Sequence, residues 1–197
     1  MQSRGARRRR GLWPMLGIIL VVACACTRIV ANKAPDYAGE PKRMVMVDVM
    51  MAGDGRFRAA AIEQRVIERF TACGVEVHYF LPPAPIAHPS LVGTDAVDAN
   101  RKAMADTVSK FAADTVLTIN ETIERRSEGL TSVIVEAAFA IELVDTAAHK
   151  VVWKAQIVVR PQYVDGPQAF ADQLVGRLAQ DGILRSCPGA PRPAPPA

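Results

Sequence analysis

The chain has 197 residues, half of them hydrophobic, with 24 Lys and Arg against 20 Asp and Glu, a formal charge of +4. Five of those basic residues (Arg4, Arg7, Arg8, Arg9 and Arg10) precede Cys24 and no acid does, so the rest of the chain carries 19 basic residues against 20 acidic, a charge of −1. A nearly neutral chain without a basic stripe offers nucleic acid no electrostatic footprint, and that class of partner is set aside.

The arginines stand ahead of an apolar run from Gly11 to Ala23 that ends on Cys24. A basic start, a short apolar stretch and a small residue at the cut describe an export signal. The run falls short of the roughly 20 residues that a membrane-spanning helix needs. Residues 1–23 are therefore expected to be a removed signal peptide; an ordinary secretory signal and an uncleaved anchor are the alternatives. Arg9-Arg10-Gly11-Leu12-Trp13 matches the twin-arginine signal poorly, which leaves the general export route. Val21-Val22-Ala23-Cys24 resembles the lipobox of bacterial lipoproteins, in which the cysteine thiol takes a diacylglycerol, the chain is cut ahead of it and the new amino terminus is acylated. The resemblance implies lipidation at Cys24, with Cys26 as the alternative, and a membrane partner held through the acyl chains. Each buried CH₂ of such chains contributes about 0.8 kcal/mol. By the same resemblance, Ala25 (or Thr27) standing where retained lipoproteins carry Asp implies the outer membrane, with the domain facing the periplasm.

Residues 24–42, with Pro35, Gly39 and Pro41, read as a flexible tether. Residues 43–187 are long enough for one domain with its own core. Residues 188–197 contain five prolines and are expected to be a disordered tail.

Within the domain, Met44 to Met51 is an apolar strand interrupted only by Asp48, so it belongs in the centre of a sheet. Ala59, Ile62, Val66, Ile67 and Phe70 form a helical stripe over Phe57 to Ala72, stopped by Gly74. Val75 to Leu81 is a second strand, ended by Pro82-Pro83. A helix capped by Thr94 or Asp95 runs to about Ala113, with Val97, Met104, Val108 and Phe111 on its buried face. Three strands follow, at Thr115 to Arg126, Ser132 to Asp145 and Lys150 to Arg160. Each places apolar residues on one face and polar residues on the other: Phe139, Ile141, Leu143, Val151, Trp153, Ala155 and Ile157 inward, Glu136, Glu142, Lys154 and Gln156 outward. Short polar connections make them an antiparallel meander. A last helix begins near Pro167 and buries Phe170, Leu174 and Leu178. The order β-α-β-α-β-β-β-α describes an α+β (α/β two-layer) domain with a mixed sheet, its helices on one face and its polar face open to solvent or a partner.

Two stretches carry a wider resemblance. Ala113-Asp114-Thr115-Val116-Leu117-Thr118-Ile119 leads from Ala-Asp into a strand, and Ala140-Ile-Glu-Leu-Val-Asp145 meets Lys150-Val-Val-Trp153-Lys154 across a turn. Behind a lipobox, this resembles the envelope-lipoprotein domains related to the TolB amino-terminal domain, among them the penicillin-binding-protein activator and curli-secretion lipoproteins. The turn, Thr146-Ala147-Ala148-His149, lacks the glycine usual there. The resemblance implies a non-catalytic accessory role through an envelope protein partner, with the polar sheet face or the Pro82–Pro89 loop as the contact, or a ring-forming subunit of a secretion complex.

Catalytic signals are weak. Gly53-Asp-Gly-Arg-Phe-Arg58 has the glycines of a phosphate-binding turn but not the Lys-Ser/Thr of a P-loop, and reads as a strand-to-helix turn. A small ligand-binding protein or enzyme with a pocket near residues 53–58 is the competing reading. His78, His88 and His149 are scattered and suggest no metal site, and no cofactor motif appears. His78 reads as a core or sheet-face histidine. Glu136 and Glu142 share a face but lie about 20 Å apart along a strand, too far for paired-carboxylate hydrolysis. Trp153 reads as core. In an oxidising compartment Cys73 and Cys187 are expected to form a disulfide, the alternative being two thiols.

Overall fold

The structure, a computed structural model, describes residues 27–49, 59–82, 94–128, 133–160 and 166–188. The expected signal peptide, both candidate lipidation cysteines, the Gly53–Arg58 turn, nearly all of the Pro82–Pro89 loop and the tail from 189 onward lie outside the described residues.

Among the described residues the elements run β1 (Thr27–Lys33), β2 (Arg43–Val49), α1 (Ala59–Ala72), β3 (Glu76–Tyr79), α2 (Thr94–Phe111), β4 (Thr115–Glu128), β5 (Val133–Asp145), β6 (Lys150–Val159) and α3 (Gly166–Gln180). The strands form one open, mixed sheet in the order β1-β6-β5-β4-β2-β3. Strand β2 lies parallel to β3 and β4, and the remaining neighbours are antiparallel. The class is the expected α+β, with the expected meander at β4-β5-β6.

Strand β2 explains the layering. Met44 and Met46 enter a core with Ile62, Val66 and Phe70 of α1 and Phe170, Leu174 and Leu178 of α3. Val45 and Val47 point the other way, into a second cluster with Ala103, Met104, Val108 and Phe111 of α2. The helices therefore do not all share one face, as the meander had suggested: α1 and α3 cover one side and α2 the other. The reason is in β2 itself, because a strand apolar on both faces leaves one exposed unless each receives a helix. Packing of α2 begins at Ala103; Val97, expected on its buried face, is 43% exposed.

The largest departure is β1. Residues 27–33 are not a free tether but an edge strand paired with β6 from Thr27↔Val159 to Lys33↔Trp153. Ile29 and Ala31 pack against the main core. The chain beyond is also held: Ala34 N–H donates to Val152 O at 2.8 Å, Tyr37 packs on the core, Lys150 bonds Asp36 at 2.7 Å, and Pro41 is buried. The prolines and glycine that suggested a linker shape the path from β1 to β2. The stabilising partner, β6, lies more than a hundred residues away and is invisible to local patterning.

Two irregularities adjust the expected alternation. A bulge between Glu121 and Ile123 shifts the β4–β5 register. Another at Leu143/Val144 places both Val152 and Trp153 inside, at 3% and 1% exposure, while Val151 is only half-buried. Cys73 and Cys187 form a disulfide with an S–S distance of 2.05 Å, tying the end of α1 to the segment after α3.

Candidate interaction surface

On the side opposite α1 and α3, α2 covers the β2 flank, and among the described residues no helix covers β4, β5, β6 and β1. Cross-strand partners share a face, so the register defines this surface. One row is Thr118–Glu142–Lys154–Asn32 and the next is Asn120–Ala140–Gln156–Val30. Asn120, Lys154, Gln156 and Asn32 are exposed, and Val30 is 54% exposed. Lys154 Nζ meets Glu142 Oε1 at 2.7 Å, and Thr118 Oγ1 donates to the Glu142 carbonyl at 3.3 Å. On the same face Arg160 pairs with Glu136 at 3.0 Å. The two glutamates thus each hold their own cation, as solvated ion pairs rather than an acid–base couple. The surface is mixed: a few charges, amides, and small apolar patches at Val30 and Ala140.

The Ala-Asp motif has a structural task. Asp114 Oδ2 accepts the backbone N–H groups of Lys42 at 2.8 Å and Arg43 at 3.1 Å, and Oδ1 accepts the Thr115 hydroxyl at 3.1 Å. It therefore aligns the starts of the parallel strands β2 and β4. Asp145 Oδ1 accepts Ala148 N–H at 2.8 Å, closing the hairpin turn. His149, where a glycine would be usual, takes φ 50°. The phenol of Tyr37 has its pKa pushed up to about 12, first by burial and then by the negative charges of Asp145 and Asp114.

The other singled-out residues are dispersed. His78 is exposed on edge strand β3, its ring 5.2 Å from that of Phe111. Trp153 is core, and its indole N–H donates to Asp181 Oδ2 at 2.7 Å. That bond belongs to a cluster that sequence reasoning missed. Arg177 Nε also bonds the Asp181 carboxylate at 3.0 Å, while Lys33 Nζ donates to the Asp181 carbonyl at 3.1 Å. Arg177 also reaches the Ala31 carbonyl at 3.3 Å, so the cluster fastens β1 to α3. Only the four-residue spacing of Arg177 and Asp181 could have signalled it. Glu121, 8% exposed beside the β4 bulge, was also missed. Among the described residues no group of three or more His, Cys, Asp or Glu is placed to hold a metal, and no helix is long and apolar enough to cross a membrane.

No family model and no curated protein matches the chain. Solved structures are similar to it. A PelC dodecamer from Paraburkholderia phytofirmans superposes with a TM-score of 0.51 at 18% identity, covering 77% of this chain and 95% of that one. The lipoprotein GNA1162 from Neisseria meningitidis gives 0.41 at 15% identity, over 72% of this chain and 97% of that one. A DUF330 protein from Xanthomonas campestris gives 0.42 at 10% identity, over 77% and 91%. At 18% identity the likeness to the PelC dodecamer is one of fold.

Proposed function

We propose that this chain is a lipid-anchored accessory protein of a bacterial cell envelope, non-catalytic and acting by protein contact from the periplasmic side, at the outer membrane. The observation that carries the reading is Cys24 at the end of Val21-Val22-Ala23-Cys24, behind a basic and then apolar leader and directly ahead of a single folded domain. The open sheet face of β4, β5, β6 and β1 supports a partner contact, and the hairpin resembling the TolB-related lipoproteins supports the same role. Expressing the full chain in a bacterium with labelled palmitate, with and without Cys24→Ala, tests the anchor. Label and membrane association should vanish in the variant. Label that survives would move the lipid to Cys26, and no label in either form would sink the reading.

A second reading, a ring-forming subunit, is favoured by the fold shared with the PelC dodecamer. Static light scattering on residues 27–197 decides it: a strict monomer at all concentrations would remove it.

A further inference from the structure

Because β1 begins at Thr27, a lipid on Cys24 leaves almost no leash. The two are three residues apart, which spans at most about 10 Å even fully extended; from Cys26 it would be a single step of about 3.8 Å. The leash cannot lengthen by peeling β1 away cheaply. Ile29 and Ala31 pack on the core, Arg177 holds the Ala31 carbonyl, and Lys33 holds the Asp181 carbonyl.

The sheet register says which end of the domain this brings to the bilayer. Thr27 pairs with Val159, Val159 with Ala137, and Ala137 with Glu124, so these four residues form one row across β1, β6, β5 and β4. Beyond that row β6 ends, but β4 and β5 continue as a pair to Glu128↔Val133. Four residues of strand project about 13 Å past the row. The hairpin thus overhangs on the side where the anchor lies, by more than the leash can span. The turn joining β5 to β6, at Lys150, is nine residues from Val159 along β6, roughly 30 Å toward the opposite end.

We infer that the end of the sheet formed by the β4–β5 overhang rests on the phospholipid headgroups, and that the Asp145–Lys150 turn points away from the membrane. This inference rests on the lipid-anchor reading and adds an orientation to it. Arg125, Arg126, Glu128 and Glu136 on the overhang balance in charge, so electrostatics supplies no pull of its own. The tether imposes the contact. The face that meets a partner is then presented edge-on to the bilayer, within one domain length of it.

The test uses the full chain in bacteria, with the photo-crosslinking residue p-benzoylphenylalanine placed in turn at Glu128, Asn32 and Ala147. Palmitate label and the Cys73–Cys187 bond, followed by non-reducing electrophoresis, report anchoring and folding of each variant. Illumination should join phospholipid to the chain at position 128 and leave positions 32 and 147 at background. A Gly-Ser spacer of about ten residues after Cys26, with a reach of roughly 16–19 Å, should abolish the crosslink at 128 while the palmitate remains. Palmitate with no crosslink at 128, or with crosslinks at 32 or 147, would overturn the orientation and leave the anchor standing. A crosslink at 128 that survives the spacer would show lipid affinity in the hairpin itself and overturn the leash. Loss of palmitate from the unaltered chain would overturn both readings.

Discussion

Helices α1, α2 and α3 each end on a left-handed residue, and in two of the three that residue is glycine. At Gly74 the following N–H, from Val75, returns to Phe70 O at 3.1 Å, and at Gly182 that of Ile183 returns to Leu178 O at 2.9 Å. This six-to-one closure defines a Schellman stop. The same closure ends α2, where Ala113 N–H reaches Val108 O at 3.0 Å, but the left-handed position is Ala112 at φ 51°. A Cβ in that region costs about 1–2 kcal/mol, partly offset by the greater freedom glycine has when unfolded. Ala112→Gly should therefore raise stability by about 0.5–1 kcal/mol, read as a higher denaturant midpoint. Gly74→Ala should lower it by about 1 kcal/mol. A Cβ at Gly74 would meet no atom within 4 Å, so backbone strain is the whole effect.

Two further residues carry sharp expectations. Asp181→Ala strands the buried Trp153 indole N–H and should cost about 1–3 kcal/mol. It should also alter the tryptophan emission, Trp153 being the only Trp beyond the leader. Tyr37, raised to about 12 from an ordinary 10.0, contributes stability that is complete below pH 10 and is lost as pH rises through 12. The unfolded phenol ionises first, so high pH favours unfolding. In Tyr37→Phe the fall in melting temperature between those pH values should become shallower; an unchanged alkaline profile would contradict the assignment.

At the scale of elements, β1 does two jobs: it completes the core and it covers β6. Without it, β6 would become a ten-residue edge strand, with Trp153, Ala155, Ile157 and Val159 on its inner face. Long unprotected edges pair with other chains. A chain starting at Ala34 should therefore scatter light and elute as aggregates of no fixed size, while one starting at Thr27 should elute as a single defined species. The local sequence around β1 hid this, because Thr27–Lys33 is short and sits beside Pro35, Gly39 and Pro41. By contrast β5, β6 beyond its bulge, and the stripes of α1 and α3 are long and periodic, and they were legible. The site was less so. The outward residues Glu142, Lys154 and Gln156 follow from alternation, but their assembly into two rows with Thr118, Asn120, Asn32 and Val30 needed the register.

For the whole molecule, the Cys73–Cys187 bond spans 114 residues and encloses most of the domain. Closing a loop of that size in the unfolded chain is worth about 4–5 kcal/mol in the chain-entropy account. Replacing both cysteines by serine should lower the unfolding free energy by about that amount, and reduction of the unaltered protein should reproduce the shift. A loss below about 1 kcal/mol would mean that the unfolded chain is already compact.

By itself the sequence determined the compositional and periodic facts: a basic and apolar leader ending on Cys24, one neutral α+β domain, a meander with one polar face, and a central strand apolar on both sides. These are legible because charge, apolar run length and side-chain period are properties of contiguous residues. Only the tertiary structure decided that residues 27–33 belong to the sheet, that α2 crosses to the second face, and that Asp181 joins Trp153, Arg177 and Lys33. Each depends on a partner far along the chain, and the free energy that selects it comes from burying surfaces which meet only once the sheet has formed.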